Sequence, residues 1–150
     1  MTDQYVVFIL GDQRYALHLS AVHRVVSMVQ ITLLMKAPDV VLGIVNVQGQ
    51  VLPVISLRRR FRLPEREIGP GDQLVVAHTA RRAVALAVDA VTAVVECSES
   101  ELVAPQSIVS ATENLAGIIK REDGLILVHD LDAFLSLEEE NFLDQALEAL

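Results

Sequence analysis

The stretch Gly43-Ile44-Val45-Asn46-Val47-Gln48-Gly49-Gln50-Val51-Leu52-Pro53-Val54-Ile55 decides the fold. Residues 44–47 and 51–55 are runs of branched apolar residues, which fit a pleated, half-buried surface. Gln48-Gly49-Gln50 between them is a turn, and its glycine can take the positive φ that a tight hairpin needs. A β-hairpin is therefore expected. Pro53 cannot donate to a ladder, so its strand is expected at an edge or a bulge.

The same reading extends outward. Residues 6–10 are apolar and stop at Gly11-Asp12, and Tyr15, Leu17 and Leu19 then alternate with Ala16 and His18. This predicts a hairpin around the Gly-Asp turn. Val22, Val25 and Val26 continue the extended signal. Pro38-Asp39 reads as the start of a short turn or helix through Leu42, ended by Gly43. Residues 57–63 have helical spacing, and Pro64 closes them. Residues 64–72, with Gly69-Pro70-Gly71, form the clearest linker. The pattern then restarts. Residues 74–77 are apolar, 79–82 turn, and 84–95 are rich in Val and Ala. Asp89 within that run reads as a turn or strand-edge residue. Residues 98–110 are mixed and irregular. Residues 117–119 and 125–128 flank Glu122-Asp123-Gly124 as a further hairpin. Short amphipathic helices are expected over 131–137 and, with acidic character, over 138–150.

The restart is testable by shifting the chain against itself. A shift of about 74 residues places Gly43 on Gly117, Ile44 on Ile118, Val54 on Val128, Leu57 on Leu131 and Leu63 on Leu137. A shift of about 69 places Ala16 on Ala85, Leu17 on Leu86, Ala21 on Ala90, Val22 on Val91 and Val25 on Val94. Most of these matches are aliphatic and weak singly. The hairpins and the helical turn that follows them nonetheless fall in the same places. The expectation is two related halves, each a small sheet curled on itself, sharing an interface and a groove.

Composition narrows the function classes. Of the 150 residues, 52% are hydrophobic, enough to fill a core. No apolar run approaches the roughly 20 residues of a membrane span, so direct membrane insertion is not expected. The start, Met1-Thr2-Asp3-Gln4-Tyr5, lacks the pattern of a secretory signal. Cys97 is the single cysteine. A reducing cytoplasm suits such a chain. The net charge of −8 disfavours nucleic acid as a partner. Arg58, Arg59, Arg60, Arg62 and Arg66 cluster mid-chain and read either as a solvated face or as a basic contact patch.

No catalytic or metal-binding constellation emerges. His18 and His23 do not have the spacing of a ligand pair on one helix face, and no Cys-x-x-Cys or His-Glu-x-x-His occurs. His129, Asp130 and Ser107 form a triad only on paper, without a Gly-x-Ser-x-Gly elbow. Gly69-Pro70-Gly71 lacks the Lys-Ser/Thr of a phosphate loop. No cofactor is expected.

With these elements placed, residues 4–137 resemble the CheW-like family. The resemblance rests on residues 7–11 followed by Tyr15-Ala16-Leu17, then Ala37-Pro38, above all residues 43–55, with Val88-Asp89-Ala90-Val91 and Gly117-Ile118-Ile119 in support. It implies a mainly all-β fold of two small five-stranded SH3-like barrels, with short helices at the barrel ends and at the C-terminus. The single CheW-like domain would divide into a first barrel over 4–63, a linker over 64–72, a second barrel over 73–137 and the acidic helix over 138–150. The implied function is a non-enzymatic adaptor between a chemoreceptor's cytoplasmic tip and the regulatory domain of a CheA-type histidine kinase. Val22, Arg24, Gly43, Asn46, Gln48, Arg58 and Arg59 are the expected contact residues. A second copy of the chain is a further partner that the reading allows. Two positions depart from the family pattern, since a glutamate is common where Arg24 stands and an arginine where Gln48 stands. The departure points to a specialised pathway or an atypical partner as the alternative.

Overall fold

The computed structural model describes residues 2–104 and 115–150. In chain order the strands are β1 (Thr2–Leu10), β2 (Gln13–His18), β3 (Val22–Ser27), β4 (Val41–Val47) and β5 (Gln50–Ser56), followed by helix α1 (Leu57–Arg60). Then come β6 (Gln73–His78), β7 (Ala83–Val88), β8 (Ala90–Ser98), β9 (Leu102–Val103), β10 (Leu115–Arg121), β11 (Gly124–His129) and helix α2 (Leu137–Glu148). They form two sheets, ordered β8-β1-β2-β11-β10-β9 and β3-β6-β7-β5-β4. Within each, one junction is parallel (β2 with β11, and β5 with β7) and the others are antiparallel.

The mainly β architecture with short helices is as expected from the sequence, but the sheets do not divide the chain at 64–72. The first sheet takes β1 and β2 from the front half and β8 to β11 from the back. The second takes β3 to β5 from the front and β6 and β7 from the back. The two halves have exchanged their first hairpins.

Burial explains the exchange. One apolar cluster lies inside the first sheet and includes Tyr5, Val7, Ala16, Ile126 and Val128. A second lies inside the other sheet and includes Val45, Leu52, Val54, Leu74, Val76 and Ala85. The largest lies between the sheets and includes Phe8, Tyr15, Leu17, Ile55, Val75, Val84 and Leu86. Successive side chains of a strand point to opposite faces. The strands β1, β2, β6 and β7 therefore feed a barrel interior with one face and the shared core with the other. A strand segment buried on both faces must be apolar nearly throughout, and the segments 5–10, 15–17, 74–77 and 83–88 are. They form the common wall, which neither half could bury alone.

The repeat is visible in the ladders. Val54 pairs with Ala85 in the parallel junction of one sheet, and Val128 with Ala16 in the other. These are the residues that the two shifts superpose. The bulges also correspond. The register slips at His23 in β3 and at Thr92 in β8, and again at Leu42 in β4 and at Ala116 in β10. Bulges bend a strand and raise its twist, as closure into a barrel requires. The isolated bridge between Thr32 and Ile44 corresponds to the two-residue pairing of β9 with β10, which makes one sheet five-stranded and the other six.

Local differences have local causes. Of the turn or helix expected from Pro38-Asp39, the structure has the turn, closed by the Val41 amide on the Pro38 carbonyl, and β4 begins at Val41 rather than after Leu42. Helix α1 is a single turn because Arg62 enters the left-handed region at φ 58°, and the Leu63 amide bonds back to the Arg58 carbonyl. Residues 131–133 form one 3-10 turn rather than a helix to 137. Pro53 lies in an inner strand, not at an edge. It precedes Val54–Ser56, the part of β5 that pairs with β7.

Candidate functional site

The β4–β5 hairpin turns on Gln48 and Gly49, at φ 52° and 89°, between the paired residues Val47 and Gln50. Two positive φ values define the turn type whose twist matches the strands. Asn46 holds the turn shut, its Oδ1 accepting the Gly49 amide at 2.8 Å. Arg24 reaches this turn from β3, the opposite edge of the same sheet, and its Nη1 donates to Gln48 Oε1. With the Thr32–Ile44 bridge, this bond ties the two sheet edges together. Asn46 and Gln48 are exposed and Arg24 is half-buried. Val51, the cross-strand partner of Asn46, is 54% exposed.

The expected contact residues thus separate. Arg24, Asn46 and Gln48 meet at one exposed barrel end. Val22 packs against the shared core and pairs with Ala77. Gly43 is buried, and a Cβ there would stand 2.2 Å from the Thr32 carbonyl oxygen. Its role is to let the chain before β4 cross closely over the strand.

Arg58 and Arg59 belong to an internal network. Arg58 donates to both Asp89 carboxylate oxygens at 2.9 and 3.0 Å and to the Pro64 carbonyl. Arg66 bridges Asp89 and Asp72, both at 2.7 Å. The Gly11 amide donates to the same Asp89 at 2.8 Å. Burial pushes the Asp89 carboxyl upward, but the Gly11 amide, Arg66 and Arg58 outweigh it and hold the pKa below the usual value. Asp89 therefore joins the β1–β2 turn of one sheet to helix α1 after the other. Arg59 pairs with Glu65 at 2.6 Å and donates to the Asp39 carbonyl. Arg60 pairs with Glu139, and Arg81 and Arg82 pair with Glu140 and Asp144, which fastens the acidic helix α2. Four of the five clustered arginines, Arg58, Arg59, Arg60 and Arg66, are thus ion-paired within the fold, with Asp89 shared by two of them, and Arg62 is exposed. One signal for Asp89 was in the sequence: a lone acid between two apolar runs.

A cavity of about 330 Å³ between the sheets is lined by Tyr5, Leu17, His18, His78, Val128 and Asp132 among others. Arg24, Asn46 and Gln48 are not in its walls. These three of the expected contact residues therefore mark a barrel end rather than this inter-sheet cavity.

Among the described residues no group of three or more His, Cys, Asp or Glu could hold a metal ion. The Cys97 thiol is buried and pushed up by that burial, which disfavours the reactive thiolate. Ser107 lies outside the described residues. No helix among the described residues is long and apolar enough to cross a membrane.

The fold is a paired barrel with one hairpin end exposed. The model of the CheW-like domain matches residues 4–139, and the chain belongs to that family. It is 26% identical over 144 residues to the chemotaxis protein CheW of Klebsiella aerogenes, covering 95% of this chain and 87% of that one. To the chemotaxis protein CheW of Helicobacter pylori it is 30% identical, covering 88% and 81%. The crystal structure of the scaffolding protein TtCheW from Thermoanaerobacter tengcongensis superposes with a TM-score of 0.83 at 29% identity, covering 93% of this chain and 96% of that one.

Proposed function

We propose that this protein is a non-catalytic, cytoplasmic adaptor that couples chemoreceptors to a CheA-type histidine kinase. The observation that carries the reading is the exposed end of the second sheet. Asn46, Gln48 and Val51 are presented to solvent there on a hairpin whose turn is closed by Asn46, and Arg24 reaches the same turn from β3. The receptor's cytoplasmic tip docks at this end. The kinase's regulatory domain packs like-on-like against a barrel end. Coupling is then binding with transmitted conformation, not chemistry. The names of the relatives, chemotaxis and scaffolding proteins, support the same class.

The second reading is a divergent module serving a specialised pathway or a single atypical partner. Arg24 bonded to a neutral Gln48 favours it, because the resemblance implies an acid and a base at these places. Calorimetric titration with a receptor tip fragment and, separately, with a kinase regulatory domain from the same genome tests the adaptor. Both are expected to bind with dissociation constants on the order of 10 µM or tighter. Binding to neither sinks the reading, and binding to the receptor fragment alone favours the second.

A further inference from the structure

We propose that Arg24 is a specificity contact that accepts a carboxylate from the chemoreceptor tip. The proposal rests on the adaptor reading.

The charge distribution carries the argument. Eight of the ten arginines form ion pairs: Arg14, Arg58, Arg59, Arg60, Arg66, Arg81, Arg82 and Arg121. Among the described residues Arg24, Arg62, Lys36 and Lys120 have no acid within ion-pair distance. The last three are exposed, whereas Arg24 is half-buried and hydrogen-bonded to Gln48. A guanidinium has five donors, and a single bond to Gln48 Oε1 accounts for one of them. The remaining donors face no carboxylate, in a chain whose net charge is −8. A cation that is held in place and left unpaired is pre-organised for a planar, two-bond contact with a carboxylate.

The repeat supplies an internal control. The corresponding hairpin of the first sheet turns on Glu122 and Asp123, between the paired residues Arg121 and Gly124. Asp123 is bonded twice by Arg14, at 3.0 and 3.3 Å, and Arg121 pairs with Glu101 and donates to the Glu96 carbonyl. The turn acid Asp123 and the flanking Arg121 are thus paired within the chain, while Lys120 and Glu122 are exposed to solvent. At the other end the turn is neutral and the arginine is available. Exposed Val51 beside it supplies an apolar contact. The bulk negative charge repels an acidic partner, so the attraction is local and sets register more than general affinity.

The test uses the full chain with two substitutions and one conservative control. Arg24→Gln removes the cation. Gln48→Glu leaves Arg24 in place but neutralises it from within, on an exposed turn residue that does not disturb the core. The probes are a receptor tip fragment from the same genome, the same fragment with each tip Glu or Asp changed in turn to Gln or Asn, and the kinase regulatory domain. Arg24→Gln and Gln48→Glu are each expected to weaken the receptor fragment about tenfold and leave the kinase domain unchanged. Arg24→Lys should recover part of the loss. One receptor acid should give the same loss when neutralised and no further loss when combined with Arg24→Gln. If wild type binds the fragment and Arg24→Gln binds it equally, the proposal is overturned while the adaptor reading stands. If Arg24→Gln instead dissolves a self-association without changing receptor affinity, the occupant is a second copy and the proposal is also overturned. If wild type binds no receptor fragment, the adaptor reading itself has failed and the proposal falls with it.

Discussion

The two hairpin ends, β4–β5 and β10–β11, are equivalent in place and opposite in use. Both join the strands next to a parallel junction, both follow a bulge and a tightly packed glycine, and both lead into a helical turn. At the end turning on Glu122 and Asp123, Asp123 and Arg121 are paired inside the molecule. At the end turning on Gln48 and Gly49 the turn is uncharged and Arg24 has no acid beside it, while both ends expose an apolar residue at the same place, Val51 and Leu125. A shared scaffold sets where a surface stands, and the charge chemistry decides whether that surface remains available to a partner.

The largest expected effect breaks the scaffold side of this comparison. A Cβ at Gly43 meets backbone, the Thr32 carbonyl oxygen at 2.2 Å, at a φ of +154°. Gly43→Ala should therefore cost about 4 kcal/mol, because neither the strand nor the chain crossing it can yield cheaply. At the equivalent Gly117 the nearest atoms belong to the Leu102 side chain, at 2.8 Å. A flexible side chain can give way, so Gly117→Ala should cost only about 1–2 kcal/mol. Chemical denaturation of the two variants reads the difference, and equal losses would contradict the packing assigned to β4.

Next is the hub between the sheets. Asp89→Asn should cost about 2 kcal/mol by leaving Arg58 without its acid in a partly buried place and Arg66 with Asp72 alone. The pH dependence has a definite sign. The folded carboxyl lies below its ordinary value of 3.8, so its contribution is complete above that value and is lost as pH falls through the folded pKa. Wild type and Asp89→Asn should therefore converge in stability at strongly acid pH. A gap that stays constant down to pH values well below the ordinary carboxylate range would remove Asp89 from the role of hub. The smallest stability effect is expected at Arg24. Arg24→Gln should leave the melting temperature within a degree or so of wild type, because Arg24 makes one side-chain hydrogen bond, to an exposed turn residue, and no ion pair among the described residues. A large drop would make Arg24 a structural residue.

Much of the fold was legible because its signals are local. The hairpins at Gly11-Asp12, Gln48-Gly49 and Glu122-Asp123 carry their turn chemistry in the residues themselves. The repeat showed in matched hairpins and in Gly43 and Gly117. The exchange of hairpins did not show, because pairing of β1 with β8 and of β5 with β7 is long-range and leaves no mark in a local window. The signature was present in a weaker form: β1, β2, β6 and β7 are apolar on both faces, as a shared wall must be. Arg24, Asn46 and Gln48 were legible as a group through the family resemblance. Arg58 and Arg59 looked like a patch because charge runs do not reveal their partners. Asp89, Glu65 and Glu139 reach them from separate parts of the chain.

Bridging tests the central claim most directly. A receptor tip fragment is immobilised, and the kinase regulatory domain is passed over it with and without this protein. The account predicts that the kinase domain is retained only when the protein is present, in proportion to the protein bound, and that Arg24→Gln reduces both together. Retention of the protein with no kinase domain, or of the kinase domain without the protein, would contradict it.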